Sequence, residues 1–79
     1  MITLQNVRKA LNDVGVYAAD NLSDQQLKQA VFMHELAMDS LDFEDLKSEI
    51  SCQFAVCVPD SVSVTDTVGT FINEVNLLD

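Results

Sequence analysis

Cations are the scarcest feature of this chain. Arg8, Lys9, Lys28 and Lys47 are its only four basic residues, against thirteen acidic ones. Such a surface offers nothing to a phosphate backbone or an anionic bilayer, so nucleic acid and membrane are poor partners. His34 is the single histidine. A zinc site of Cys and His ligands therefore lacks members, and His34 has no second residue with which to form a catalytic dyad or triad. Cys52 and Cys57 are the only cysteines and are not spaced as Cys-x-x-Cys. They are expected to be reduced and to act as small, softly apolar side chains, with no metal bound. No apolar run approaches the roughly 18 residues that span a bilayer. The opening Met1-Ile2-Thr3-Leu4-Gln5-Asn6 lacks the basic-then-apolar layout of an export signal, so a soluble, cytoplasmic protein is expected. Repeats and low-complexity segments are missing too.

What remains is one small domain over residues 1–79, with 48% apolar residues, a proportion normal for a globular chain. A chain of this length buries only about 60% of the surface its unfolded form exposes, which leaves little material to wall off a deep active site. Charge is uneven along it. Residues 1–34 hold three cations against Asp13, Asp20 and Asp24. Residues 35–79 hold Lys47 alone against Glu35, Asp39, Asp42, Glu44, Asp45, Glu49, Asp60, Asp66, Glu74 and Asp79, so the formal charge of −9 lies wholly in the second half. A basic patch on another protein suits that half, although solubility alone also accounts for it.

Leu4, Val7, Leu11 and Val14 recur at helical spacing and predict a first helix over 3–14, with Thr3 as its N-cap and Gly15 ending it in a left-handed turn. A long connection follows over 16–31. Ser23 and Gln26 form a capping box within it, so a short helical turn is expected there. Phe32 and Leu36 are core anchors, and Met33 and Met38 are expected to pack. A second helix is predicted over 39–53, with Asp39 as its N-cap and Asp42 in the dipole-favoured first turn. On that helix Phe43, Leu46, Ile50 and Phe54 face the core. Asp42, Asp45 and Glu49 form an acidic ridge beside it. Leu41, Ser48 and Cys52 form a third stripe. Pro59 stops what precedes it. Val62 to Thr65 has strand-like composition, but no other segment offers a pairing partner, so a loop is expected. The last helix should begin near Thr65 or Asp66, with Val68, Phe71, Ile72 and Val75 inward. The fold class is all-α, a small three-to-four-helix bundle of antiparallel type.

Ser40 stands out in this frame, because it sits at the mouth of the second helix. Backbone N–H groups and the positive end of the helix dipole favour an anionic group there. The run Phe32-x-x-x-Leu36-x-Met38-Asp39-Ser40-Leu41-Asp42 resembles the approach to the modified serine of the acyl carrier proteins. Asp45, Leu46, Phe54 and Val58-Pro59-Asp60 fall where that family places an acidic residue, a core leucine, a core aromatic and its Ile-Pro-Asp. Thr67-Val68 with Ile72 and Val75 is similar to its last helix. The register covers about residues 32–75, and the first helix is similar in pattern only.

The resemblance implies the acyl-carrier type of bundle and a monomer that is not itself an enzyme. Ser40 would carry 4′-phosphopantetheine, delivered from coenzyme A by a phosphopantetheinyl transferase with Mg²⁺. Asp39 would cap the helix and face the transferase. Leu41, Asp42, Glu44, Asp45 and Glu49 would meet basic patches on the enzymes of fatty-acid, polyketide or related lipid synthesis. The core between helices would open to shelter an acyl chain. Some positions depart from the family. Ala37 replaces its usual glycine, the connection before the motif is longer, and the loop after Pro59 is slightly short. Glu44, Ser48, Ser51 and Cys52 stand where fatty-acid carriers usually show a valine, a methionine and two glutamates. These differences suggest a specialised carrier.

Two other readings compete. One is an unmodified acidic helical module that docks a basic partner. The other is a carrier of an amino acid such as D-alanine. A calcium loop is excluded, because Leu41 would fall on a required ligand position and no glycine makes the sharp turn.

Overall fold

The computed structural model describes residues 1–78; Asp79, counted in the charge above, lies outside them. Four α-helices make an all-α bundle, in the order α1 (Leu4–Asp13), α2 (Asp24–Gln29), α3 (Ser40–Phe54) and α4 (Val68–Leu78), with a 3₁₀ turn at Ala18–Asn21 between the first two. No helix among the described residues is long and apolar enough to cross a membrane.

Helix α1 starts where its cap dictates. Thr3 Oγ1 accepts from the Asn6 N–H at 3.2 Å, and Asn6 Oδ1 accepts from the Thr3 N–H at 2.9 Å. It stops where Gly15 takes a φ of +85°, a conformation without penalty only for glycine. Its buried face is Val7, Ala10 and Leu11, and the expected stripe members Leu4 and Val14 are only half-buried.

The long connection is more ordered than its composition suggests. The Arg8 guanidinium donates to the Ala19 carbonyl at 2.7 Å, to the Leu22 carbonyl at 3.1 Å and to Asp24 Oδ1 at 3.0 Å, tying the 3₁₀ turn and the start of α2 to α1. The Ser23–Gln26 capping box opens α2 as expected, and Leu27 is its fully buried residue.

Residues 62–65 form a loop as expected, but the chain from Val64 to Val68 does meet a neighbour, the segment 30–33. The Val68 N–H donates to the Ala30 carbonyl at 2.9 Å, the Phe32 N–H to the Asp66 carbonyl at 3.3 Å and the Met33 N–H to the Val64 carbonyl at 3.1 Å. Only one isolated antiparallel bridge, Val31 with Thr67, results, because turns at both ends bend the two segments apart. The start of α4 is also later than expected. Asp66 turns backwards, its Oδ2 accepting from the Ser63 N–H at 2.9 Å. Thr67 takes the capping role, its Oγ1 accepting from the Thr70 N–H at 3.1 Å.

The interior centres on three phenylalanine rings from three different segments. Phe32 precedes the candidate serine, Phe43 lies on α3 and Phe71 on α4. Their centroids are 5.0 Å (Phe32–Phe43), 5.4 Å (Phe32–Phe71) and 5.9 Å (Phe43–Phe71) apart, in tilted and edge-to-face arrangements that suit aromatic quadrupoles. Leu46, Ile50, Val68 and Val75 extend this core, whereas Phe54 reaches only its margin. Of the two methionines expected to pack, Met38 is buried and Met33 is exposed.

Polar clasps hold the periphery. The Ile2 N–H donates to Asn76 Oδ1 at 2.8 Å, and Asn76 Nδ2 donates back to the Ile2 carbonyl at 3.1 Å. Asp13 Oδ2 accepts from Lys9 Nζ at 2.8 Å and from Gln53 Nε2 at 2.6 Å, joining the ends of α1 and α3. The hydrogen bond from Lys9, then that from Gln53, hold the Asp13 carboxyl below its ordinary value near 3.8, against a small opposing effect of burial.

Replacing Phe71 with alanine removes one of the three rings. Such truncations cost about 3–5 kcal/mol, close to the entire stability of a domain this small. A urea titration should therefore find Phe71→Ala largely unfolded in buffer. The Asp13 clasp predicts a pH effect. Because the folded carboxyl titrates lower than the unfolded one, its contribution is complete above the unfolded value. It fades as pH falls through the folded one. Urea midpoints of the wild type and Asp13→Asn should differ at pH 6 and converge towards pH 2.

Candidate functional site

Ser40 is the first residue of α3, and its position follows from four adjacent constraints. Phe32 and Leu36 are buried, and the Met38 N–H donates to the Phe32 carbonyl at 2.9 Å, closing the preceding loop on itself. The Ala37 N–H donates to the His34 carbonyl at 3.2 Å. Ala37 itself has a φ of +52°. An L-residue therefore occupies the left-handed region here, at a cost of about 1–2 kcal/mol. Asp39 then ends the loop with extended backbone and caps the helix.

The cap is reciprocal. Asp39 Oδ1 accepts from the Asp42 N–H at 2.8 Å, and Asp42 Oδ2 accepts from the Asp39 N–H at 3.2 Å. The Phe43 N–H bonds the Asp39 carbonyl at 3.0 Å, and its ring enters the aromatic cluster three residues beyond the serine. Two first-turn donors, the N–H groups of Ser40 and Leu41, have no acceptor among the described residues. Ser40 is exposed, and its hydroxyl makes no hydrogen bond with any described residue.

The expected partner surface divides by charge state of its neighbours. Leu41, beside the serine, is 74% exposed, far more than a core satellite would be. Asp39 and Asp42 are engaged in the cap. Glu44 pairs with Lys47, Oε1 to Nζ at 2.9 Å, and the same ammonium lies 5.3 Å from the Phe43 ring centroid. That pairing, at i and i+3, is of a spacing that a helix brings together and lowers the effective charge of the acidic α3 surface. Asp45 is exposed and Glu49 half-buried, and neither forms an ion pair among the described residues.

A shallow groove runs along α3 towards its C-terminus. It is lined by Glu44, Lys47, Ser48, Ser51 and Cys52 from the helix and by Val58 from the extended segment behind it, with a volume of about 510 Å³. At about 100° per residue, Ser40, Glu44, Lys47 and Ser51 lie in one row, so the groove begins one turn below the serine. Val58 arrives there because Ala55, with a φ of +53°, turns the chain sharply after Phe54. Cys52 and Cys57 are both free and exposed.

Among the described residues, the remaining titratable groups are not gathered into one cluster. His34 lies exposed on the loop before the serine, and its ring bonds no described residue. Glu35 is tied to the backbone, its Oε1 accepting from the Val31 N–H at 2.6 Å. No group of three His, Cys, Asp or Glu side chains among the described residues is placed to hold a metal.

The free N–H groups of Ser40 and Leu41 and the positive helix end favour an anionic group at this point, and the carboxylates of Asp39 and Asp42 oppose one.

Removing the cap should loosen this geometry. Asp39→Ala is expected to cost about 0.5–2 kcal/mol of stability. In a ¹⁵N–¹H spectrum the Asp42 amide should lose its hydrogen-bonded shift while those of α1 stay in place. Compared with known proteins, the chain matches no family model, no curated protein and no solved structure.

Proposed function

We propose that this protein is a carrier of the acyl-carrier type, in which Ser40 is the attachment point of a 4′-phosphopantetheine arm. The observation that carries the reading is the placement of Ser40. It has an exposed, unbonded hydroxyl on the first turn of a 15-residue helix, with two open N–H donors beside it. The arm's terminal thiol holds an acyl group as a thioester when the arm is attached. Within the chain, Asp39 and Asp42 keep the helix mouth fixed, and Phe43 anchors the first turn in the core. Ser40 needs no general base of its own, because a phosphopantetheinyl transferase with Mg²⁺ supplies the chemistry of attachment.

Leu41 is the apolar contact for the transferase and for enzymes that act on the cargo. Asp45 and Glu49 are the acidic contacts, since Lys47 already neutralises Glu44. Basic patches on those enzymes are then steered to α3.

The test is intact mass after incubation with coenzyme A, Mg²⁺ and a broad-specificity phosphopantetheinyl transferase. The wild type should gain one arm and Ser40→Ala none. No gain with two unrelated transferases would overturn the proposal and favour an unmodified acidic docking module.

A further inference from the structure

A chain reversal brings the two thiols of this chain to the same end of α3. Cys52 stands in the last turn of the helix and Cys57 in the segment that follows, and both are free and exposed. Between them Ala55 ends the helix with a φ of +53°, which turns the backbone back. Val58 marks the path of the return, because it lines the groove on α3 together with Ser48, Ser51 and Cys52. The helix rises about 4.5 Å from Cys52 to Ala55. Two residues of extended chain carry the backbone back about 6.6 Å from Ala55 to Cys57, and a third brings Val58 level with Ser48. Along the helix, Cys57 therefore falls within roughly 2 Å of the level of Cys52. A disulfide asks for Cα atoms about 4.4–6.8 Å apart, and a flanking segment that is free to shift can meet that span.

This segment has such freedom. Among the described residues, the N–H groups of Val56, Cys57 and Val58 donate to no backbone carbonyl. Its anchors are the side chains of Val56 and Val58, which are only half-buried at the margin of the core. No basic residue in the last turn of α3 bonds the open carbonyls there. Ala55 adds strain at the hinge, since the left-handed region disfavours an L-residue. Few buried contacts and open backbone groups mark the part of a fold that opens first. A covalent link between Cys52 and Cys57 acts on that weak point directly, because it removes freedom from the open form.

We propose that Cys52 and Cys57 are a reversible redox pair that latches segment 55–58 onto the end of α3. In the reduced state the segment hinges at Ala55, and the Val58 wall of the groove moves with it. A small disulfide is the oxidant. The thiolate of one cysteine attacks a sulfur of that disulfide, so that a new S–S bond forms, the oxidant's own bond breaks and one small thiol leaves. The second cysteine attacks the mixed disulfide and displaces the other small thiol. The two cysteine protons pass to the two released thiols, and the two electrons reduce the oxidant. The latch is independent of any group on Ser40.

The test exposes the full chain to hydroxyethyl disulfide, an uncharged oxidant that the acidic surface does not repel. Intact mass without reductant should show a monomer lighter by two hydrogens, with both thiols closed to iodoacetamide and reopened by dithiothreitol. Hydrogen exchange of the Val56, Cys57 and Val58 amides should slow by about tenfold or more on oxidation. The thermal midpoint should rise by roughly 5 °C or more. Cys52→Ser/Cys57→Ser in the same oxidant should show neither change, and each single variant should hold one mercaptoethanol adduct instead. Two such adducts on the wild type, or a disulfide-linked dimer, would overturn the proposal. A bond that forms without slowing those three amides would overturn the latch as well.

Discussion

Contact among Phe32, Phe43 and Phe71 is the constraint on which the rest of the fold depends. Each ring comes from a different segment, and the three segments are joined there across the interior. The loop before the serine contains no regular element, α3 carries its apolar residues on a narrow face, and α4 is entered through an irregular turn. Mutual edge-to-face packing fixes all three at once. Burial of Phe43, Leu46 and Ile50 together sets the inward direction of α3, which leaves Ser40 on the helix flank and turns Leu41 outward. The exposed hydroxyl at the helix mouth is thus a consequence of core packing, and the Asp39–Asp42 cap refines it.

Features governed by local chemistry were legible in the sequence. Thr3, Gly15, Ser23 with Gln26, and Asp39 each marked a helix boundary, because a cap or a left-handed turn involves a few consecutive residues. The inward positions of Phe43, Leu46, Ile50, Phe71 and Val75 followed from helical periodicity. Features that depend on distant partners were not legible. The 3₁₀ turn at Ala18–Asn21 is held by Arg8, ten or more residues away in the chain. The delayed start of α4 follows from Asp66 turning back to Ser63 while segment 30–33 pairs beside it. Met33 and Met38 are alike in composition, and only the fold distinguishes the exposed one from the buried one. At the candidate site, the position of Ser40 and its cap could be read in advance. The groove could not, since it needs Val58 folded back against α3.

Charge on α3 is less uniform than the count of carboxylates suggests. Two acids stabilise the helix mouth, one is neutralised by Lys47, and Asp45 and Glu49 remain unpaired among the described residues. The same Lys47 covers the edge of the aromatic cluster through its contact with Phe43. A single cation therefore serves the core and sets the charge pattern of the surface, linking the interior to whatever approaches from outside.

The amide of Asn76 grips both backbone groups of Ile2, so the first residues of the chain lie against the last turns of α4. Beginnings and ends that meet in this way make a domain tolerant of rewiring. The same bundle should fold when a short linker joins the segment before α1 to the end of α4 and the chain is opened in the loop after Pro59. By the same geometry it could sit within a surface loop of a larger protein without stretching its host.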